Sequence, residues 1–214
     1  VRSRRQRQMC IRDRDNITKY NEKRDAISQD WIEFLSKINA HPILIPNKLP
    51  NIESFLDTFH LDGIILSGGD NIGEFPERDE TEINILKYAI KKNILVLGVC
   101  RGMQIINHYF NGKIITSDTK QHVGKQHSIN FLENTCIQKF GKASDVNSFH
   151  NNFILKDNLG KDLEYFAEAE DKTIEGFFHK KLPIVGVMWH PERDKNVEFE
   201  LEFMKIYQER VFWK

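Results

Sequence analysis

Apolar positions along this chain fall into short solid runs and spaced stripes, and the two alternate. From Glu22 the spacing is helical, with Ile27, Trp31, Phe34, Leu35 and Ile38 recurring at intervals of three and four to make one apolar stripe. Ile43-Leu44-Ile45 reads as a short buried strand that Pro46 and Pro50 end. Ile52, Phe55, Leu56 and Phe59 predict a second helix, and Gly63-Ile64-Ile65-Leu66-Ser67 a strand running into Gly68-Gly69-Asp70. Residues 79–92 predict a helix with Ile83, Leu86, Ala89 and Ile90 turned inward. The apolar run at residues 94–99 then passes at once into a helical pattern at Met103-Gln104-Ile105-Ile106-Asn107. Strands alternating with helices at this spacing predict an α/β fold: three layers, with a mainly parallel sheet between helices on both faces.

Residues 113–178 have a different texture. Segments 127–132, 145–149, 163–169 and 173–178 alternate polar with apolar and are separated by Gly and Asn. They predict strands at one side of the sheet, some antiparallel, leading into an apolar strand at 183–188. Residues 196–212 predict a closing helix with Val197, Leu201, Met204 and Ile206 among its apolar positions. There is no internal repeat and no interdomain linker, so residues 15–214 read as one domain.

Composition adds one discontinuity. The 214 residues are 29% charged and 40% hydrophobic with a net charge of zero, yet residues 1–14 hold six Arg and one Asp, which is +5 and leaves −5 for the remainder. This opening segment lacks hydrophobic periodicity and resembles translated sequencing-adapter read-through, so it is expected to be non-native. The sheet is then expected either to lack a proper first strand or to borrow this segment as a weak substitute. No whole-domain basic field points to nucleic acid. No apolar run approaches the ~20 residues of a membrane span. Basic residues without a following apolar stretch do not make a secretory signal. Three cysteines, an odd number, do not suggest a disulfide framework. A reducing compartment, the cytoplasm, is the expectation.

Chemistry concentrates at two strand ends. Gly98-Val99-Cys100-Arg101-Gly102 is a small nucleophile between glycines at the junction of a buried strand and a helix, the pattern of a nucleophile elbow. The helix start beneath the sulfur favours a thiolate. Ninety residues later, Val185-Gly186-Val187-Met188-Trp189 is an apolar strand that ends in His190-Pro191-Glu192. In extended backbone, residues i and i+2 point to the same side. Glu192 is therefore expected to orient the His190 ring while its other nitrogen takes the Cys100 proton. Two backbone N–H groups are expected to form an oxyanion hole, from Arg101 and from Gly69. The histidines, among them His122, His127, His150, His179 and His190, are scattered without metal-ligand spacing, and no phosphate loop is present, so neither metal nor cofactor is expected. The acidic run from Glu74 to Glu82 reads as the favourable charge of a helix start.

The elbow Gly98-Val99-Cys100-Arg101-Gly102-Met103-Gln104, the Trp189-His190-Pro191-Glu192 terminus and Ser67-Gly68-Gly69-Asp70 resemble class I glutamine amidotransferases over residues 17–210. Cys100-Arg101-Gly102 and Val146-Asn147-Ser148-Phe149-His150 look more like the stand-alone γ-glutamyl hydrolase branch, peptidase family C26. The resemblance implies a flavodoxin-like core and a thiol enzyme that attacks a γ-glutamyl carbonyl, forms a glutamyl thioester and releases glutamate. It also implies contact of Gln104 with the glutamyl group, and of Asn147, Ser148 and His150 with its charged groups or the leaving group. Where that branch often has His-Gln after the last of these, this chain has Asn151-Asn152.

Three functions fit: a hydrolase of small γ-glutamyl conjugates, a glutaminase subunit feeding ammonia to a separate synthase, and an inactive binding protein. The intact Cys100, His190 and Glu192 argue against the last, and the Cys-Arg-Gly elbow favours the first. The compact Gly68–Glu74 loop looks closer to enzymes that cut γ-glutamyl-CDP-amidate, a nucleotide-linked substrate. A homo-oligomer is compatible with all three.

Overall fold

The computed structural model describes residues 7–12, 15–17, 23–116, 123–132, 141–193 and 197–213. Cys136 and His122 lie outside the described residues. The strands, in chain order, are β1 (Arg7–Arg12), β2 (Asp15–Ile17), β3 (Lys23–Asp25), β4 (Ala40–Leu44), β5 (Gly63–Leu66), β6 (Leu95–Val99), β7 (Ile115–Thr116), β8 (Val123–Phe131), β9 (Ala143–Phe149), β10 (Asn152–Phe153), β11 (Leu163–Ala169), β12 (Ile174–His179) and β13 (Ile184–Val187). The helices are α1 (Gln29–Lys37), α2 (Ile52–Leu56), α3 (Pro76–Lys92), α4 (Arg101–Tyr109) and α5 (Val197–Gln208).

A nine-stranded sheet has the order β4-β1-β5-β6-β13-β12-β11-β8-β9. The strands from β4 to β13 run parallel, and those from β13 to β9 pair antiparallel. The sheet is thus mixed, with its parallel part under the predicted elbow and its antiparallel part where the alternating segments stand.

Period-two alternation separates two apolar cores. Ile65, Leu97, Val99, Val185 and Val187 face one side, against Trp31, Phe34 and Leu35 of α1 and Phe199, Phe203 and Tyr207 of α5. Ile64, Leu66, Val96 and Ile184 face the other, against Leu56 of α2, Ile85, Leu86 and Ala89 of α3, and Ile105 and Ile106 of α4. Each such side chain contributes roughly 1.5–3 kcal/mol by leaving water. Strands β5, β6 and β13 are buried at every position, as expected of parallel strands covered on both faces.

Some boundaries differ from the sequence reading. The first helix begins at Gln29, not near Glu22, because Ser28 accepts the Asp30 N–H and caps it, and residues 23–25 pair with β2 instead. Strand β4 includes Pro42, which is tolerated because β4 is an edge strand pairing only with β1. The third helix starts at Pro76, whose missing N–H costs nothing at a first helical position. The arginine-rich opening segment supplies a strand of the sheet. Arg7–Arg12 pairs with β4 on one side and β5 on the other, using main-chain groups that any non-proline residue carries.

Candidate active site

Parallel register brings the two chemical strand ends level. Gly186 pairs with Gly98 and Val187 with Val99, and the Cys100 N–H donates to the Val187 carbonyl at 2.8 Å. Strand β5 runs alongside, with Leu66 opposite Gly98, so the Ser67-Gly68-Gly69 turn emerges at the same edge.

Cys100 has φ 52° and ψ −106°, a strained conformation for a residue with a side chain. Such a conformation costs of order 1–3 kcal/mol and persists only where the surroundings enforce it. Here the enforcement is a close crossing of α4 over β5, since a Cβ on Gly102 would overlap the Leu66 carbonyl. Cys100 is 6% exposed and is a free thiol.

The His190 ring lies between two partners. Its Nδ1 is 2.7 Å from Glu192 Oε1, and the ring is hydrogen-bonded to the Cys100 side chain. With Nδ1 committed to Glu192, the contact with sulfur falls to Nε2. Burial works against a charged ring, but the hydrogen bonds to Cys100 and Glu192, and the negative charge both can carry, outweigh it. The His190 pKa is pushed up to about 10. The segment is not extended as the sequence suggested. Residues Pro191–Arg193 form a single 3-10 turn, and the Arg193 N–H donates to the His190 carbonyl at 3.0 Å. Proline's fixed φ favours this turn, and it carries the Glu192 carboxylate back to the ring.

The Gly-Gly turn closes on the same histidine. A Cβ on Gly68 would lie 2.6 Å from His190 Cε1, so only glycine leaves room for the ring there. Gly69 is exposed, at φ +152°, beside the Arg78 guanidinium. Arg101 is buried at 2% exposure, its guanidinium paired with Glu82 and Asp79.

The remaining predicted residues divide. Asn147 is engaged with the His190 main chain: its Nδ2 donates to the His190 carbonyl at 2.8 Å and its Oδ1 accepts the His190 N–H at 2.9 Å. It clamps the histidine backbone. Phe149, which the sequence reading did not single out, meets the ring edge to face at 5.7 Å. Gln104 is 3% exposed, with Nε2 3.8 Å from Met188 Sδ. Ser148 lines an open cleft of about 370 Å³ with Lys125, His127 and Asp171. His150 is buried, with Nδ1 2.9 Å from the Asn152 carbonyl and Nε2 3.7 Å from Glu175 Oε1.

Sequence reasoning missed two sets of buried charges. Glu175, fully buried, lies between His150 and His127, and His127 has a raised pKa because its hydrogen bond to Glu175 overcomes burial. Arg78 and Glu82, also fully buried, form an i,i+4 pair on α3. Glu82 stays ionised: burial opposes its charge, but Arg78 and Arg101 outweigh that and lower its pKa. A signal existed, because Arg78, Glu82, Leu86 and Ala89 share the inward stripe of α3.

The arrangement presents a buried thiol against an imidazole that is itself oriented by a carboxylate, beside a glycine turn. That is the geometry of thiol acyl transfer, and the fold around it is the class I glutamine amidotransferase fold. A candidate GMP synthase component from Thermoplasma acidophilum superposes with a TM-score of 0.72 at 23% identity, covering 98% of each chain. The chain belongs to the peptidase C26 family, whose profile matches residues 8–192. It is 34% identical over 200 residues to a γ-glutamyl-CDP-amidate hydrolase of Campylobacter jejuni, covering 89% of this chain and 93% of the relative. It is also 30% identical over 172 residues to anthranilate synthase component 2 of Cyanophora paradoxa, covering 78% of this chain and 86% of that one. Among the described residues no helix is long and apolar enough to cross a membrane, and no group of three or more His, Cys, Asp or Glu could hold a metal ion.

Proposed function

We propose that this protein is a stand-alone thiol hydrolase of a small γ-glutamyl amide, with Cys100 as nucleophile and His190 and Glu192 completing the triad. The observation that carries the reading is the His190 ring, held by Glu192 on one nitrogen, bonded to Cys100, and packed on Gly68. The Cys100 thiolate adds to the γ-carbonyl, and the charge that develops on oxygen is received by the Gly69 and Arg101 backbone N–H groups. The His190 imidazolium then protonates the departing amine, leaving a glutamyl thioester on Cys100. His190, now neutral, takes a proton from water as that water attacks the thioester, and glutamate leaves. Gln104, Ser148 and His150 bind the substrate, and Asn147 acts by holding His190 in place.

The similarity to the Campylobacter jejuni hydrolase supports a nucleotide-linked substrate, γ-glutamyl-CDP-amidate. The test is to mix purified protein with glutamine, γ-glutamyl-aminobutyrate and γ-glutamyl-CDP-amidate and measure glutamate release. The third should be cleaved with the highest kcat/KM. A second reading, a glutaminase working with a synthase, is favoured by the similarity to anthranilate synthase component 2. Selective cleavage of glutamine, accelerated by a partner protein, would establish that reading instead.

A further inference from the structure

Behind the turn residues lies a buried chain of charges that the acyl-transfer steps do not use. Glu82, with a fully buried side chain, divides its two oxygens between two arginines. Oε1 accepts from Arg78 Nε at 2.8 Å, and Oε2 accepts from Arg101 Nη1. Arg101 Nη2 goes on to Asp79 Oδ1.

Each arginine belongs to one wall of the site. Arg101 directly follows Cys100, and its own backbone N–H is one of the two oxyanion donors proposed above. Arg78 serves the other wall: its Nη2 donates to the Ser67 carbonyl at 3.2 Å and to the Gly68 carbonyl at 3.0 Å. None of the described peptide bonds is cis, and in a trans peptide the C=O and N–H point in opposite directions. Pinning the Gly68 carbonyl to Arg78 therefore aims the Gly69 N–H of the same peptide away from Arg78. The guanidinium also fills the space that a Cβ on Gly69 would need, so the turn and Arg78 fit only as a pair. Without a carboxylate between them, two buried guanidinium groups would repel and separate.

We propose that Glu82 is a positioning residue which, by bridging Arg78 and Arg101, sets the separation and aim of the two backbone donors that receive the oxyanion. The proposal rests on the thiol-hydrolase reading. Glu82 touches neither substrate nor sulfur in it, and acts through the two arginines.

An oxyanion forms when Cys100 attacks a carbonyl, but not when it displaces iodide from iodoacetamide. Comparing the two reactions in Glu82→Gln therefore isolates the donors from the nucleophile. The expected result with γ-glutamyl-p-nitroanilide is a fall in kcat of about 10–100-fold, somewhat less than the 10²–10³ for losing a donor outright, with KM little changed. Iodoacetamide should alkylate Cys100 at close to the wild-type rate. Parallel losses in both reactions, or an unchanged kcat, would overturn the proposal. If Glu82→Gln does not fold, Arg78→Lys decides the matter by the same pair of rates. It keeps the charge beside Glu82 but loses the fork that reaches both the carboxylate and the Gly68 carbonyl. A wild-type protein that alkylates but cleaves no γ-glutamyl amide would defeat the hydrolase reading alone. The crystal structure of Arg78→Lys would then decide the positioning claim, and an unmoved Gly68–Gly69 peptide would overturn it.

Discussion

Two buried clusters of opposite charge stand side by side in this protein. One is Cys100–His190–Glu192, and the other is Arg78–Glu82–Arg101–Asp79. Both join basic and acidic side chains that, except for the half-buried Asp79, lie out of water, and in both the partners overcome the cost of burying charge. They differ in what their basic members can do. An imidazole can give up its proton when a reaction removes the negative charge beside it, whereas a guanidinium keeps its charge throughout. The first cluster can therefore pass a proton during a reaction, and the second can only hold geometry. Burial and pairing alone do not mark a catalytic group; the chemistry of the partner does.

The largest expected effect separates the clusters by function. Cys100→Ala should reduce glutamate release by on the order of 10⁶-fold, as the loss of a nucleophile that works within a triad does. It should leave the urea midpoint close to wild type. Mass spectrometry should find the glutamyl adduct on Cys100 of the wild type and on no residue of the variant. Retained turnover would remove the mechanism.

Glu192→Gln should fall between the extremes, losing about 10²–10⁴-fold in kcat because the base remains but its orientation and tautomer are lost. A loss as complete as that of Cys100→Ala would mean that the carboxylate does more than orient the ring.

The second cluster should respond in stability. Arg78→Met removes one partner of a buried pair and should cost about 3–5 kcal/mol by urea unfolding. Stability within about 1 kcal/mol of wild type would show that Arg101 alone suffices to balance Glu82.

The smallest expected effect is a dependence on pH. The folded-state pKa of His190, about 10, lies above its unfolded value, so its contribution to stability is complete below about pH 6.5 and is lost as pH rises through about 10. Thermal melts of wild type and Glu192→Gln should accordingly differ most near neutral pH and converge toward pH 10. The difference between wild type and Arg78→Met should stay constant over that window, because an arginine keeps its charge there. Convergence in both series would erase the distinction between the clusters.

Most of the architecture was legible because periodicity is a local property. The stripes at Trp31, Phe34 and Leu35 and at Leu86 and Ala89, and the solid runs at 63–66 and 95–99, became the helices and strands they predicted. The alternating segments likewise became the antiparallel side of the sheet. Less legible were the places where a polar residue is buried by a distant partner. Glu82 looks like any acidic residue near a helix start until Arg101, nineteen residues away, reaches it. Asn147 reads as one position of an alternating strand until the strand ending at Phe149 lies across His190, 43 positions further on, and its side chain holds the His190 main chain.

What the sequence determined by itself is the chemistry on offer: a thiol between two glycines at a strand end, a histidine and a glutamate flanking a proline, and a glycine pair after an earlier strand. These are consequences of residue type and short-range geometry. Only the tertiary structure decided that they meet, because parallel pairing of β5, β6 and β13 sets three remote turns at one level of the sheet. It also decided that Arg7–Arg12 occupies the place beside β5, where backbone hydrogen bonding accepts a strand whose side-chain pattern gave no sign of one. Strand registers, and charge pairs such as Glu82 with Arg101, join partners far apart in the chain, and a local pattern carries no record of them.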